Sequence, residues 1–465
     1  MAVHRGEFNS RLGFILAAAG SAVGLGNIWK FPFEVGAGGG AAFVVMYLIF
    51  CFLLCFPVMV AEIAIGRKTR RNPVGAFKAL KTPNWSFIGK LGILSGFLIL
   101  SFYNVVAAWA FGFFIEMLVG NFAIGSEFGN FIKDWLKVGI FGLLFMSMTA
   151  YIVSHGVQRG IERAAKFLMP SLIIIMVVLL IYSLSLEGAI DGLRFYLIPD
   201  FSKINGQVIY SALGQAFFSL SLGMGALITY GSYLNKNQDI VGSAVMITLM
   251  DVGIAFLAGL MLFPLVFSQG IEPNGGAGLV FVTLPGVFEN LGPNMGVVVG
   301  SLFFLLLSFA ALTSTVSLLE VPVSYVVDEH KVPRTRAVWL TAGLIFVIGI
   351  PSLLSQGANG FFSNFIEIIG LAREGMTDYS FLEFIQWVAN DTFLPFGGMM
   401  ISIYAAYIWK KENLTEELAH GNKNYAGSNM EKFINFAITY LAPSVLAVIF
   451  VLTVLNRFFG IDSIA

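Results

Sequence analysis

Apolar runs of about 20 residues recur along the whole chain, the length an α-helix needs to cross a ~30 Å hydrocarbon core. In lipid each backbone N–H and C=O must be satisfied within the protein, so such runs fold as helices and not as open sheets. The hydropathy pattern, broken at charged or Gly/Pro-rich connections, predicts eleven spans near 12–36, 41–66, 90–120, 137–155, 166–184, 208–233, 240–268, 295–327, 337–355, 392–410 and 433–456, numbered here in chain order. The expected fold class is therefore all-α and polytopic. Soluble domains carry about a quarter charged residues, whereas this chain has 12% charged and 57% hydrophobic residues, which excludes a soluble globular protein. Its 465 residues leave no stretch for a separate soluble domain, and one transmembrane unit over 1–465 is expected.

The formal net charge is zero, which argues against a nucleic-acid partner, since such proteins show a clustered basic excess. Most of the 27 Lys and Arg fall on one side of the predicted spans, and Arg67, Lys68, Arg70 and Arg71 form the densest stretch. The positive-inside rule then puts the N-terminus in the cytoplasm and, after an odd number of spans, the C-terminus outside. The polar stretch from Met1 to Arg11 lacks the pattern of a cleavable signal, so the first run is expected to stay and the location to be the cell membrane. Cys51 and Cys55 sit one turn apart in an apolar run and read as packing residues. The four histidines fall in or beside polar connections, where no metal set is expected. The outer segment 356–391 mixes apolar positions with Arg373, Glu374 and Asp378 and predicts short interfacial helices, while the outer connection around Glu272-Pro273-Asn274 reads as a lid.

Two spans are not ordinary. Span 1 contains Gly20-Ser21-Ala22-Val23-Gly24-Leu25-Gly26-Asn27, and span 6 contains Ser219-Leu220-Ser221-Leu222-Gly223-Met224-Gly225. Paired glycines at mid-membrane depth weaken a helix, and non-helical backbone is tolerated there only where it lines a protected cavity. The two spans are five apart, the arrangement of an inverted repeat of spans 1–5 (about 10–185) and 6–10 (about 207–411), with an extra helix at about 432–457. A broken helix offers amide ends to a carboxylate and carbonyl ends to a cation. A zwitterionic amino acid with cations fits both.

At these residues the chain resembles the neurotransmitter:sodium symporter family, bacterial branch. The resemblance rests on Arg11-Leu12-Gly13-Phe14, on Ala22-Val23-Gly24-Leu25-Gly26-Asn27-Ile28-Trp29-Lys30-Phe31-Pro32, on Gly214-Gln215-Ala216-Phe217-Phe218-Ser219 with its following Leu220-Ser221-Leu222-Gly223, and on Ala311-Leu312-Thr313-Ser314. It implies two sodium (Na+) sites: one from the Ala22 carbonyl, Asn27, Ser219, Asp251 and the substrate carboxylate, the other from the carbonyls of Gly20, Val23 and Ala310 with the hydroxyls of Thr313 and Ser314. It implies that the substrate carboxylate meets the amides of Leu25 and Gly26 and the Tyr103 hydroxyl. The ammonium group would meet carbonyls of Ala22, Phe218 and Ser219 and the Ser221 hydroxyl. The side chain would enter a pocket of Ile99, Tyr103, Phe218, Met224, Ser317 and Leu318. That lining is mostly apolar and disfavours charged substrates, so small hydrophobic L-amino acids, aliphatic and aromatic, are expected. Met224, where relatives often have phenylalanine, adapts to several shapes.

The resemblance further implies an outer gate pair of Lys30 and Asp391, with lysine in place of the usual arginine, and an inner pair of Arg5 and Asp328 beside an aromatic plug, Phe8. Glu62 is expected to bond the unwound backbone of span 6. The sharper departure is Asp251, where the family normally places asparagine, with Ala255 one turn later where chloride-independent relatives carry glutamate. The carboxylate has moved four residues along the same helix face. A fixed negative charge beside sodium substitutes for an anion, so sodium symport without chloride is expected, with proton antiport as a further expectation. An ion channel and a membrane enzyme are the competing classes; the chain has neither a repeated filter nor a nucleophile elbow or phosphate loop. A sodium-dependent amino-acid-sensing receptor on the same fold stays open at this level.

Overall fold

The computed structural model describes residues 6–268, 270, 278–373, 376 and 378–461. Arg5 and the 271–277 stretch of the expected lid lie outside them. Among the described residues all regular structure is helical. Among the described residues, eight helices are long and apolar enough to cross a membrane uninterrupted: Ala41–Thr69, Pro83–Leu118, Trp135–Ser154, Val157–Leu184, Ile240–Phe267, Pro293–His330, Arg334–Leu354 and Asn429–Phe459. Span 1 is the bent pair Arg11–Ala22 and Gly26–Ala37, turning by 52°, and span 10, Phe381–Ile408, turns by 93° into Lys411–Ala419. Span 6 is divided into Gly206–Ser219 and Ala226–Gly231. Together these are the eleven predicted spans.

Three predicted boundaries move. Span 3 starts at Pro83 and not at 90, span 5 at Val157 and not at 166, and span 10 at Phe381 and not at 392. In spans 5 and 10 charged residues that read as a break are carried inside the helix with partners, whereas at the start of span 3 Lys90 is carried on an exposed face. Glu162 accepts from the Asn9 amide at 2.8 Å and pairs with Lys166 at 2.7 Å. Asp391 pairs with Arg457 at 2.9 Å, and Glu383 accepts from Trp387 Nε1 at 2.8 Å. The segment before span 10 holds two short helices, Gly360–Ser363 and Phe365–Ile368.

Spans 3 and 8 pack along each other more extensively than any other described pair and form a central wall. The first half of span 1 lies in the groove made by spans 5, 7 and 8. Apolar side chains such as Phe167, Ile174 and Ile181 on span 5 and Val448 and Val451 on span 11 are exposed, as a lipid-facing surface requires. Cys51 and Cys55 are free and buried.

Candidate functional site

The half-helix Arg11–Ala22 starts at Ser10, whose side chain accepts from the Gly13 amide, and stops where Val23 turns extended at φ −71°, ψ 109°. A wide π-type turn, Gly26–Lys30, restarts it. In span 6 the helix stops at Ser219, and Ser221, Gly223 and Gly225 take positive φ of 54°, 78° and 76° before Ala226. Glycine adopts this region without strain, whereas serine does so only under constraint. Ser221 has that constraint: its hydroxyl donates to the Ser21 carbonyl of the other break at 2.8 Å. The two interruptions thus hold each other.

Glu62 of span 2 is fully buried, and its Oε1 accepts from the Gly223 amide at 2.8 Å. It satisfies an N–H that the unwound strand leaves without a helical partner. Glu62→Leu is expected to strand that amide and destabilise the detergent-solubilised protein by about 1–3 kcal/mol. Glu62→Gln, which keeps an acceptor, should stay near wild type in a thermal unfolding assay. Equal losses for both would rule out the bond as the cause.

On one side of span 1, Asn27, Ser219 and Asp251 converge, all buried. Asn27 Nδ2 donates to Asp251 Oδ1 at 2.7 Å and to Ser219 Oγ at 3.0 Å, while its Oδ1 accepts from the Gly24 amide at 3.0 Å. The Ser219 hydroxyl lies 2.9 Å from both Asp251 oxygens. Sequence reasoning missed Tyr47 of span 2, whose hydroxyl donates to Asp251 Oδ2 and to Ser219 Oγ, each at 3.2 Å. It also missed Gln215, whose Nε2 donates to the Gly26 carbonyl at 2.8 Å. A buried tyrosine in an apolar run was the available signal for the first.

On the other side, the Thr313 hydroxyl lies 3.2 Å from the Val23 carbonyl and 2.9 Å from that of Ala310. The Ser314 hydroxyl lies 3.3 Å from the Val23 carbonyl. Gly20 faces the same spot, since a Cβ on it would come 3.2 Å from Thr313 Cβ. Each side offers the hard oxygen donors that an alkali cation takes, the first with a carboxylate and the second without.

Between them lies a small cavity of about 20 Å³ lined by Ala22, Gly26, Ile99, Tyr103, Phe218, Ser219, Ser221, Met224 and Leu318, with Ser21, Gly24 and Ser314. Ser317 stands behind this lining and accepts from Ser21 Oγ at 2.7 Å. The Leu25 amide donates to the Tyr103 hydroxyl at 2.9 Å, so a free end of the broken helix is capped by a side chain that also lines the cavity. Tyr103 and Phe218 separate it from a vestibule of about 510 Å³ that reaches Trp29, Lys30 and Asp391. Lys30 and Asp391 share this space, but Asp391 takes Arg457 as its ion-pair partner and Lys30 Nζ lies 5.1 Å over the Phe218 ring. At the opposite end Phe8 is buried edge-on against Phe14, Tyr230 and Tyr233, and its amide donates to the Tyr233 carbonyl. Asp328 accepts from the backbone amide of Asn72 at 3.1 Å, and its expected partner Arg5 is outside the described residues. The site is thus approached from the Lys30 end and shut at the Phe8 end.

The profile of the sodium:neurotransmitter symporter family matches residues 5–127 and 132–459. An uncharacterized sodium-dependent transporter of Bacillus subtilis, YhdH, is 35% identical over 456 residues, 96% of each chain. Another, MJ1319 of Methanocaldococcus jannaschii, is 34% identical over 445 residues, covering 90% of this chain and 85% of its own. The crystal structure of MhsT in complex with L-phenylalanine superposes with a TM-score of 0.86 at 40% identity, covering 96% of this chain and 99% of that one.

Proposed function

Since this chain belongs to the sodium:neurotransmitter symporter family, and is with it a sodium-dependent membrane transporter and not an enzyme, we propose that it carries hydrophobic L-amino acids, aliphatic and aromatic, together with sodium. The observation that carries this reading is the meeting of both broken spans at one mostly apolar cavity with oxygen donors on two sides. Asn27, Ser219 and Asp251 with the Ala22 carbonyl would hold one sodium ion, whose shell the substrate carboxylate completes. Gly20, Val23, Ala310, Thr313 and Ser314 would hold a second. The substrate's carboxylate would take the Leu25 and Gly26 amides and the Tyr103 hydroxyl, its ammonium group the carbonyls of Ala22, Phe218 and Ser219 with the Ser221 hydroxyl. Its side chain would lie among Ile99, Tyr103, Phe218, Met224, Ser317 and Leu318. The MhsT complex holds L-phenylalanine, which supports an aromatic amino acid among the substrates.

Asp251 supplies the negative charge beside the first sodium, so transport proceeds without chloride; on emptying, the same carboxylate is free to take a proton outward. Lys30 with Asp391 closes the outer end of the path, and Arg5 with Asp328 and Phe8 the inner end. The whole chain acts as one transmembrane unit in the cell membrane, N-terminus inside and C-terminus outside, and the two halves of spans 1 and 6 rock against the wall of spans 3 and 8.

Uptake into proteoliposomes, with sodium, chloride and pH gradients imposed independently, tests this reading. Leucine, isoleucine, phenylalanine and tryptophan should each compete with labelled leucine, and glutamate and lysine should compete at least roughly 100-fold more weakly, because an unpaired charge in the pocket costs several kcal/mol. Competition by glutamate or lysine at leucine's level would overturn the substrate class. Sodium current without saturable uptake would indicate a channel, and binding without accumulation a receptor.

A further inference from the structure

Asp391 is not free to meet span 1 in this conformation. Its Oδ2 accepts from Arg457 Nε at 3.1 Å and lies 2.9 Å from Arg457 Nη2, so both prongs of a guanidinium in the last turn of span 11 hold it. The guanidinium is itself seated, 5.0 Å from the centroid of the buried Trp387 ring, one turn before Asp391 on span 10. Trp387 in turn donates from Nε1 to Glu383. Lys30 keeps its ammonium over the ring of Phe218, the side chain between vestibule and pocket. Both bases line the same vestibule as the carboxylate.

We propose that Arg457 is a positioning residue for the transport cycle: it latches Asp391 on the span 10–11 side while the vestibule is open, and closure requires the carboxylate to pass from Arg457 to Lys30. This rests on the proposed gate pair of Lys30 and Asp391. The chemistry favours the order. Arginine presents a two-pronged donor to a carboxylate and stacks on an aromatic face, whereas lysine offers a single compact charge. Without substrate the arginine therefore retains the carboxylate. An amino acid entering under Phe218 disturbs the ring on which Lys30 rests and releases the ammonium to compete. Asp391 and Arg457 are partly exposed, with side chains 23% and 32% accessible, so the exchange trades one hydrated pair for another and a substrate suffices to tip it.

The test is accessibility of the vestibule in the full chain reconstituted in lipid. Gly214 lines an adjoining cavity of about 340 Å³ that shares Lys30, Phe218, Asp391 and Arg457 with the vestibule, and a Cβ there meets nothing within 4 Å, so Gly214→Cys carries a probe for a membrane-impermeant maleimide beside the same ion pair. The native Cys51 and Cys55 are buried and give little background. In the parent, sodium with L-leucine should slow labelling. Lys30→Gln should abolish that slowing. Arg457→Gln should already label roughly three- to fivefold more slowly in sodium alone, the upper range for a partly exposed ion pair. Arg457→Lys should fall between, and Asp391→Asn should make Arg457→Gln silent. Labelling of Arg457→Gln and Arg457→Lys at the parent rate or faster, with Lys30→Gln still blocking the leucine response, would overturn the latch and leave the gate pair standing. A normal leucine response in Lys30→Gln would remove the gate pair and the latch with it.

Discussion

Replacing Asp251 with asparagine is expected to cut sodium-driven uptake roughly 10–100-fold in chloride-free buffer, and added chloride should recover much of the loss. The range follows from the about 1.5–3 kcal/mol that hydrogen bonds to a charged group contribute. Asp251 is fully buried and takes donors from Asn27, Ser219 and Tyr47. Asparagine keeps the shape and the reach to Ser219 but removes the charge that offsets a sodium ion at the same oxygens. A small anion among the Tyr47, Ser219 and Asn27 donors would restore the balance. The measurement is initial uptake with gluconate against chloride as the external anion, in parent and variant. Full uptake by Asp251→Asn in gluconate would show that the carboxylate does not set the local charge.

Gly24→Ala is expected to lower uptake by a comparable factor, through crowding and not through charge. A Cβ at Gly24 would stand 2.3 Å from Ser314 Oγ and 2.8 Å from Tyr103 Oη. The first atom belongs to the second proposed sodium set and the second caps the Leu25 amide. Overpacking a tight site costs about 1–3 kcal/mol, and here it displaces a cation ligand and a substrate ligand together. The half-saturation concentrations for sodium and for leucine should both rise. Gly214→Ala is the matched control, since its added methyl enters open space and should leave both unchanged. If only one of the two constants moved in Gly24→Ala, the sites would not share this residue.

The spans and both interruptions were legible because lipid leaves the backbone few options. A run long enough to cross must be helical, and glycines at mid-depth, repeated five spans apart, are costly unless the breaks are used. Asn27 and Ser219 stood out for the same reason, as polar groups beside the breaks where apolar ones are cheaper, whereas Asp251 entered only through the family resemblance. Tyr47 was harder to see, because a tyrosine in an apolar run reads equally as packing until its hydroxyl is placed against Asp251. Arg457 was counted only as a charge near a span end. Its pairing with Asp391 joins residues on two spans and depends on how each helix is rotated about its axis, which hydropathy does not encode. The starts of spans 5 and 10 were misplaced on the same principle: a charged residue ends a predicted span, although a partnered one does not end a helix.

The cavity between the two breaks has room for about one water, since a single water needs roughly 10–15 Å³ on such a measure. No amino acid enters it as it stands, so binding requires the site to expand, with Phe218 and its neighbours giving way. The measured affinity is then weaker than that of a ready-made site by the free energy of that expansion. Variants that prop the site open would bind every accepted side chain more tightly, because the cost of enlarging the space would no longer be drawn from the ligand's own contacts.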